Sequence, residues 1–303
     1  MKADLMDPSL YKDYLLNDRI IAHSTARAYT IVLSGFLKHN PDIDNVNAYN
    51  DFIIEKAFKG RSFYTYYALL GYIKYKFKDS KKLRDTIIEN LRKPKMPIGI
   101  VRERRNLDED KVLKIIANLK VHKHQLIALV QKLTGVRAGD IMRIPTGNIL
   151  VEKYKDKQIL RLAIIGKGGR RNVVEIFDPI AQKVILDYID KPSKHVIEGY
   201  YFLEYSKLRK KTQSKDEFDL YLTNYNQYFL DLKQALNACG IMKEEWATHD
   251  FRRDFARKVW MKYNNLLILQ NIMHHSDPKI TMRYLVQEGL NNIEIFEEMQ
   301  EDK

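Results

Sequence analysis

The sequence predicts a mainly α-helical protein with one small antiparallel β-sheet, arranged as two domains. Three observations predict it. Apolar residues recur at steps of three and four along most of the chain, the period of a helix face. The period turns strand-like in residues 159–177, around Gly166-Lys167-Gly168-Gly169-Arg170. A proline-broken basic stretch, residues 93–106, separates two helical regions. At 303 residues and 45% hydrophobic, the chain is long enough for two cores and too apolar for wholesale disorder.

The first domain, residues 1–92, reads as several helices. One spans 24–38, with Ser24 as its N-cap and Tyr29, Leu33, Phe36 and Leu37 on one face. Another lies near 45–58. A third covers 62–77, where Phe63, Tyr66, Tyr67, Leu70, Ile73 and Phe77 mark the buried face. A fourth runs near 80–91. Charge concentrates late in this domain: residues 51–100 carry 12 basic and 5 acidic side chains. Lys74, Lys76, Lys78, Lys81 and Lys82, interleaved with Tyr75 and Phe77, form either a phosphate-tracking surface or a solvated helix end over core aromatics.

The linker is helix-broken by Pro94 and Pro97 and carries Arg102, Arg104 and Arg105, which suit a phosphate backbone. Asp108 then caps a new helix and opens the second domain, residues 107–285. Helices are expected near 108–119, 122–135 and 139–144. Strands 159–165 and 171–177 follow, then a helix at 178–189. Residues 190–222 read as irregular. Helices near 225–239, 249–263 and 265–273 complete the domain. A tail, 286–303, remains.

Composition narrows the function classes. Lys and Arg number 52 against 39 acids, a formal +13. That surplus suits a polyanion, with nucleic acid ahead of an anionic membrane, and equally a basic but otherwise ordinary cytosolic protein. The single cysteine, Cys239, excludes an internal disulfide framework and a cysteine zinc site, and fits a reducing cytoplasm. No apolar run reaches the length of a membrane span, and the N-terminus lacks the apolar centre of a signal peptide.

Five short segments carry chemistry in combination. Arg137 lies just past a helix in Thr134-Gly135-Val136-Arg137, with Asp140 three residues on. Lys167 sits at a glycine-rich hairpin tip, flanked by Arg170 and Arg171. His249 and Arg252 are three apart near a helix start and face the same way, as two ligands of one phosphate would. His274 and His275 are adjacent, without a third ligand spaced for a metal. Tyr284 follows His275 by nine residues. Each segment alone is weak. A surface Arg, a solubilising turn, a packed His and an amphipathic core Tyr are the ordinary alternatives.

In order and spacing, the five segments resemble the tyrosine recombinase family, especially its Xer and phage-integrase branch. The resemblance covers residues 107–285 and extends loosely to the N-terminal helices, which look like that family's core-binding domain. Two features depart from it. His274 stands where the family usually has Gly, and 190–222 contains an unusual Lys- and Tyr-rich run. The first would alter the local turn, and the second suggests a divergent member, archaeal or viral. The spacing to Tyr284 selects His275 over His274.

The resemblance implies the chemistry. In-line attack on a phosphodiester builds charge on the non-bridging oxygens, and Arg137 and Arg252 would each donate to it without losing a proton. Tyr284 would be the nucleophile, on a short mobile segment. A phenol of pKa about 10 needs help at neutral pH, and His249 is the natural base. Lys167 would protonate the leaving 5′ oxygen, His275 would hydrogen-bond a non-bridging oxygen, and Asp140 would brace Arg137. The product would be a 3′-phosphotyrosyl linkage that stores bond energy, so neither ATP nor a metal nor another cofactor is required.

The implied partners are double-stranded DNA and other copies of the chain, a tetramer on two sites, with no membrane. The acidic tail, with Leu290, Ile293, Phe296 and Met299 in an apolar stripe, would dock on a neighbouring subunit or on its own domain. The short stretch before residue 20 suits a simple architecture without an added arm-binding domain. Dimer resolution and integration or excision of a mobile element both fit. A type IB topoisomerase and an inactive DNA-binding protein are the competing classes.

Overall fold

The computed structural model describes residues 7–19, 21–57, 62–94, 106–166, 170–205, 217–243 and 245–286. Lys167, Arg102, Arg104, Arg105 and the stripe at Leu290, Ile293, Phe296 and Met299 lie outside the described residues. The chain divides into two compact units, Met1–Ile100 and Val101–Lys303.

The first unit contains α1 (Pro8–Asn17), α2 (His23–Leu37), α3 (Val46–Ala57), α4 (Ser62–Lys76) and α5 (Lys81–Asn90). Asp7 caps α1 by accepting from Ser9 N, and Pro8 at the first helical position loses no hydrogen bond. Ser24 is not the cap of α2. The N-cap falls two residues earlier, at Ala22, with no side-chain cap, so Ser24 lies in the first turn. Helix α4 packs against α2, α3 and α5. That central place buries Ala68, Leu69 and Tyr72 as well as the expected Tyr66, Ile73 and Phe77, so its buried surface is wider than one stripe. Tyr75 packs on Tyr11 and Tyr14, at ring distances of 5.4 and 4.7 Å.

The second unit opens with α6 (Glu109–Ala117), α7 (His122–Thr134) and α8 (Ala138–Met142). Asp108 caps α6 as the sequence indicates, accepting from Lys111 N at 2.8 Å. Three strands follow, β1 (Ile149–Tyr154), β2 (Lys157–Ile165) and β3 (Arg171–Ile176), in an antiparallel sheet of order β1-β2-β3. Leu160, Leu162, Ile164, Val174 and Ile176 bury one face in the main core. The first strand is additional to the expected two. Its turn, Lys155-Asp156, adopts positive φ at both positions, 45° and 63°, without glycine or asparagine, so the usual hairpin signal is missing.

The remaining elements are α9 (Pro179–Asp190), α10 (Glu217–Ala238), α11 (Thr248–Tyr263), α12 (Leu266–Ile272) and α13 (Pro278–Val286). Helix α10 begins at Glu217, well before the expected 225. The preceding residues 191–205 are irregular, apart from isolated bridges between Val196 and Glu204 and between Pro145 and Tyr200. Tyr284 lies on α13. A small core of Ala256, Val259, Leu269 and Met273 accounts for this, because Tyr284 and Leu285 pack against it and hold α13 to α11 and α12.

Candidate active site

The site forms where the C-terminal end of α7, the start of α8, the β2–β3 hairpin, α11 and the α12–α13 turn meet. A cavity of about 440 Å³ opens there, walled by Arg137, Asp140, Arg170, Arg252, His274 and His275 among others. Gly166 and Asn172 bring the hairpin base to the same cavity. Gly166 N donates to Arg170 O at 2.8 Å at the base of that hairpin.

Arg252 is the centre of the arrangement and is only 3% exposed. Its Nε donates to Tyr284 Oη at 3.3 Å and its Nη2 donates to Met273 O at 2.7 Å. Nη2 also meets His275 Nε2 at 2.9 Å, and Nη1 donates to Gly135 O. Burial, the largest influence, lowers its pKa, while Tyr284 raises it and Arg137 lowers it. An arginine in this setting remains a cation, since a delocalised guanidinium holds its proton.

The Thr-Gly-Val-Arg segment explains itself locally. Gly135 ends α7 in the left-handed region, at φ 66°, and an added Cβ would run into the Phe255 ring. The turn points Gly135 O at Arg252 and places half-buried Arg137 at the N-cap of α8. Arg137 lies 3.6 Å from Asp140, whose other oxygen takes Arg143 at 3.0 Å. Arg143 also donates to Gly139 O and stands over the Tyr221 ring, 5.1 Å from its centroid. Sequence reading missed Arg143, although its spacing of three from Asp140 was an available signal.

Of the two histidines, His275 is buried and His274 is exposed at the cavity rim. His274 has φ 52°, the backbone region that favours glycine. His275 is fixed from three sides. Its N–H donates to Gln270 O, and its own carbonyl accepts from Gln270 Nε2, both at 3.0 Å. Its Nδ1 meets Thr281 Oγ1 at 2.9 Å, and its ring stacks on Tyr284 at 5.5 Å. Burial, followed by Arg252, Arg137 and His274, holds its pKa down to about 4. Thr281 was also missed. It lies three residues before Tyr284, one turn away on α13.

His249 stands at the exposed start of α11, one turn before Arg252. That start is fixed from both sides of the backbone. Asp250 Oδ2 accepts from Ala247 N, and Gln131 Nε2 donates to Thr248 O at 3.1 Å. Arg171 is exposed on β3. Lys74, Lys78, Lys81 and Lys82 are exposed in the first unit, and Lys76 is half-buried. Among the described residues, no group of three or more His, Cys, Asp and Glu is gathered as a metal site.

A buried guanidinium holding a tyrosine hydroxyl at the edge of a cationic cavity, within a helical domain bearing a three-stranded sheet, defines the class: a tyrosine recombinase. Residues 105–288 match the phage integrase family, and the chain belongs to it. A 59-residue stretch, 20% of the chain, is 39% identical to the probable integrase/recombinase YoeC of Bacillus subtilis (strain 168) and spans 32% of that protein. In fold, the chain is similar to the XerH site-specific recombinase in a pre-cleavage complex with its difH substrate. The TM-score is 0.60 at 15% identity, over 95% of this chain and 84% of that one. It is likewise similar to a lambda integrase fragment in a dimer bound to a core site, with TM-score 0.60 at 14% identity over 90% and 95% of the two chains.

Proposed function

We propose that the chain is a site-specific DNA recombinase that cuts and rejoins strands through a covalent bond to Tyr284, for dimer resolution or for integration and excision of a mobile element. The observation that carries this reading is the hydrogen bond from buried Arg252 to Tyr284 Oη beside a cavity walled by further cations. That arrangement fixes the hydroxyl beside a counter-charge for the incoming phosphate.

In the proposed reaction Arg137 and Arg252 hold the non-bridging oxygens of the scissile phosphate. His249 takes the Tyr284 proton. The Tyr284 oxygen bonds to phosphorus, the 5′ oxygen leaves, and Lys167 protonates it. His275 supports a non-bridging oxygen, and Asp140 braces Arg137. A 5′ hydroxyl from a second strand reverses the step. The first unit serves as the core-binding domain, so that two domains clamp duplex DNA, with Arg170 and Arg171 near the cut and the lysines of α4 and α5 along the backbone. Subunits assemble as a tetramer through the C-terminal tail, in the cytoplasm.

The test is covalent trapping. Wild-type protein incubated with host DNA and denatured should retain DNA on Tyr284, and sequencing that DNA should return one site. Tyr284→Phe should lose the adduct entirely while still binding duplex DNA. Wild-type protein that yields no adduct sinks the reading. Relaxation of supercoiled plasmids regardless of sequence would assign the chain to the type IB topoisomerases instead.

A further inference from the structure

Resting on the recombinase reading, the hydrogen bonds of His275 expose a step that it leaves unaddressed. A guanidinium only donates, so His275 Nε2, at 2.9 Å from Arg252 Nη2, accepts. The neutral ring therefore carries its proton on Nδ1, which faces Thr281 Oγ1 at 2.9 Å. In this form Nε2 carries a lone pair, taken up by Arg252 Nη2, and no proton, although both residues wall the cavity. A phosphate oxygen is itself an acceptor, so the two would repel. To support a non-bridging oxygen, His275 needs a proton on Nε2.

Two routes supply it. The ring could take a second proton and become a cation, or it could exchange tautomers and stay neutral. The site opposes the first route, because the ring is buried with Arg252 and Arg137 nearby. The second route demands a partner at Nδ1 that accepts in one state and donates in the other. Among uncharged side chains of this size a hydroxyl does both. Thr281 supplies one, is 0% exposed, and sits one turn before Tyr284 on the same helix.

We propose that Thr281 is a positioning residue that permits His275 to exchange tautomers when the scissile phosphate enters. In the free site, Nδ1–H donates to Oγ1. In the occupied site, Oγ1–H donates to Nδ1, and Nε2–H donates to a non-bridging oxygen. Nδ1 gives one proton to solvent and Nε2 takes one from it, so the ring remains neutral. The same exchange releases Arg252 Nη2 from His275 and frees that N–H for the phosphate.

The test uses the full chain with nitrogen-15 histidine, the His275 resonances identified by their loss in His275→Gln, and inorganic phosphate as the probe. In the free protein the proton should sit on Nδ1. At saturating phosphate it should sit on Nε2, with Nδ1 bare. Thr281→Ser should behave the same way, and Thr281→Val should fail to make the exchange. In the trapping assay Thr281→Val should form adduct roughly 10- to 100-fold more slowly, as expected for a buried nitrogen left unpartnered, with DNA binding unchanged. Thr281→Ser should stay within about threefold of wild type. A wild-type spectrum unchanged by phosphate, a doubly protonated ring in the complex, or a Thr281→Val protein that exchanges or cleaves like wild type each overturns the proposal. Those results leave the recombinase reading standing. Absence of any wild-type adduct removes that reading, while the spectra still judge the tautomer.

Discussion

Arg252 and His275 show how single residues set the working state of the site. Arg252 spreads its donors over Tyr284, Met273, Gly135 and His275, so each neighbour is oriented by one cation. His275 is held neutral because burial, and then the surrounding arginines, depress its pKa to about 4, against about 6.5 for a free imidazole. The sign of the resulting pH dependence follows. Between pH 6.5 and 4 the unfolded chain binds a proton at this residue that the folded chain refuses. The stabilising contribution is complete above pH 6.5 and is lost as pH falls towards 4. Thermal melts of wild type and His275→Gln should therefore converge as pH drops from 7 to 5, and a gap independent of pH would contradict the assignment. His275 was legible in the sequence because its spacing to Tyr284 is a one-dimensional quantity. Thr281 was not, since a threonine gains its role only when the α12–α13 turn brings a histidine nitrogen to its hydroxyl.

At the scale of elements, the site depends on how helices end. Helix α7 stops at Gly135, and that stop aims a carbonyl at Arg252 and releases Arg137 towards the cavity. Gly135→Ala should cost about 1–2 kcal/mol from its positive φ alone. It should cost more in total because the new methyl displaces Phe255. Gly147→Ala is the control, since Gly147 also has positive φ, at 85°, but an added Cβ there meets nothing within 4 Å. Urea titrations should rank Gly135→Ala well below Gly147→Ala. Equal losses would mean that Phe255 gives way freely. The helices themselves were readable from apolar spacing and from caps such as Asp108, whose carboxylate takes an N–H in its own first turn. Strand β1 was not, because Lys155-Asp156 makes a left-handed turn that those residue types seldom announce. The early start of α10 was hidden for a related reason. Its first residues follow a Lys-rich stretch that breaks the apolar period, and only the packing of Tyr221 near Arg143 and Gly139 shows that the helix has already begun.

For the molecule as a whole, the question is how a net charge of +13 is used. The two units have separate cores, one built around Tyr11, Phe36, Leu69 and Tyr72 and the other around α7, the sheet and α10. Each can therefore present its own surface to a polyanion. In the first unit the aromatics interleaved with the lysines are structural, since Phe77 is buried and Tyr75 packs on Tyr11 and Tyr14. Lys74, Lys78, Lys81 and Lys82 are left exposed around the α4–α5 turn. If these track the backbone, each releases counterions from one phosphate, and the slope of log affinity against log salt should carry about 0.9 per contact. Replacing the four with Gln in the full chain should flatten that slope by up to about 3 to 4. The loss of affinity should be about the same on every DNA sequence, because phosphate contacts carry no base information. Adduct formation on Tyr284 should persist at low salt, where the remaining cations suffice to hold DNA. An unchanged slope would show that the α4–α5 turn faces solvent, and would return the DNA-binding task to the second unit and the basic stretch that precedes it.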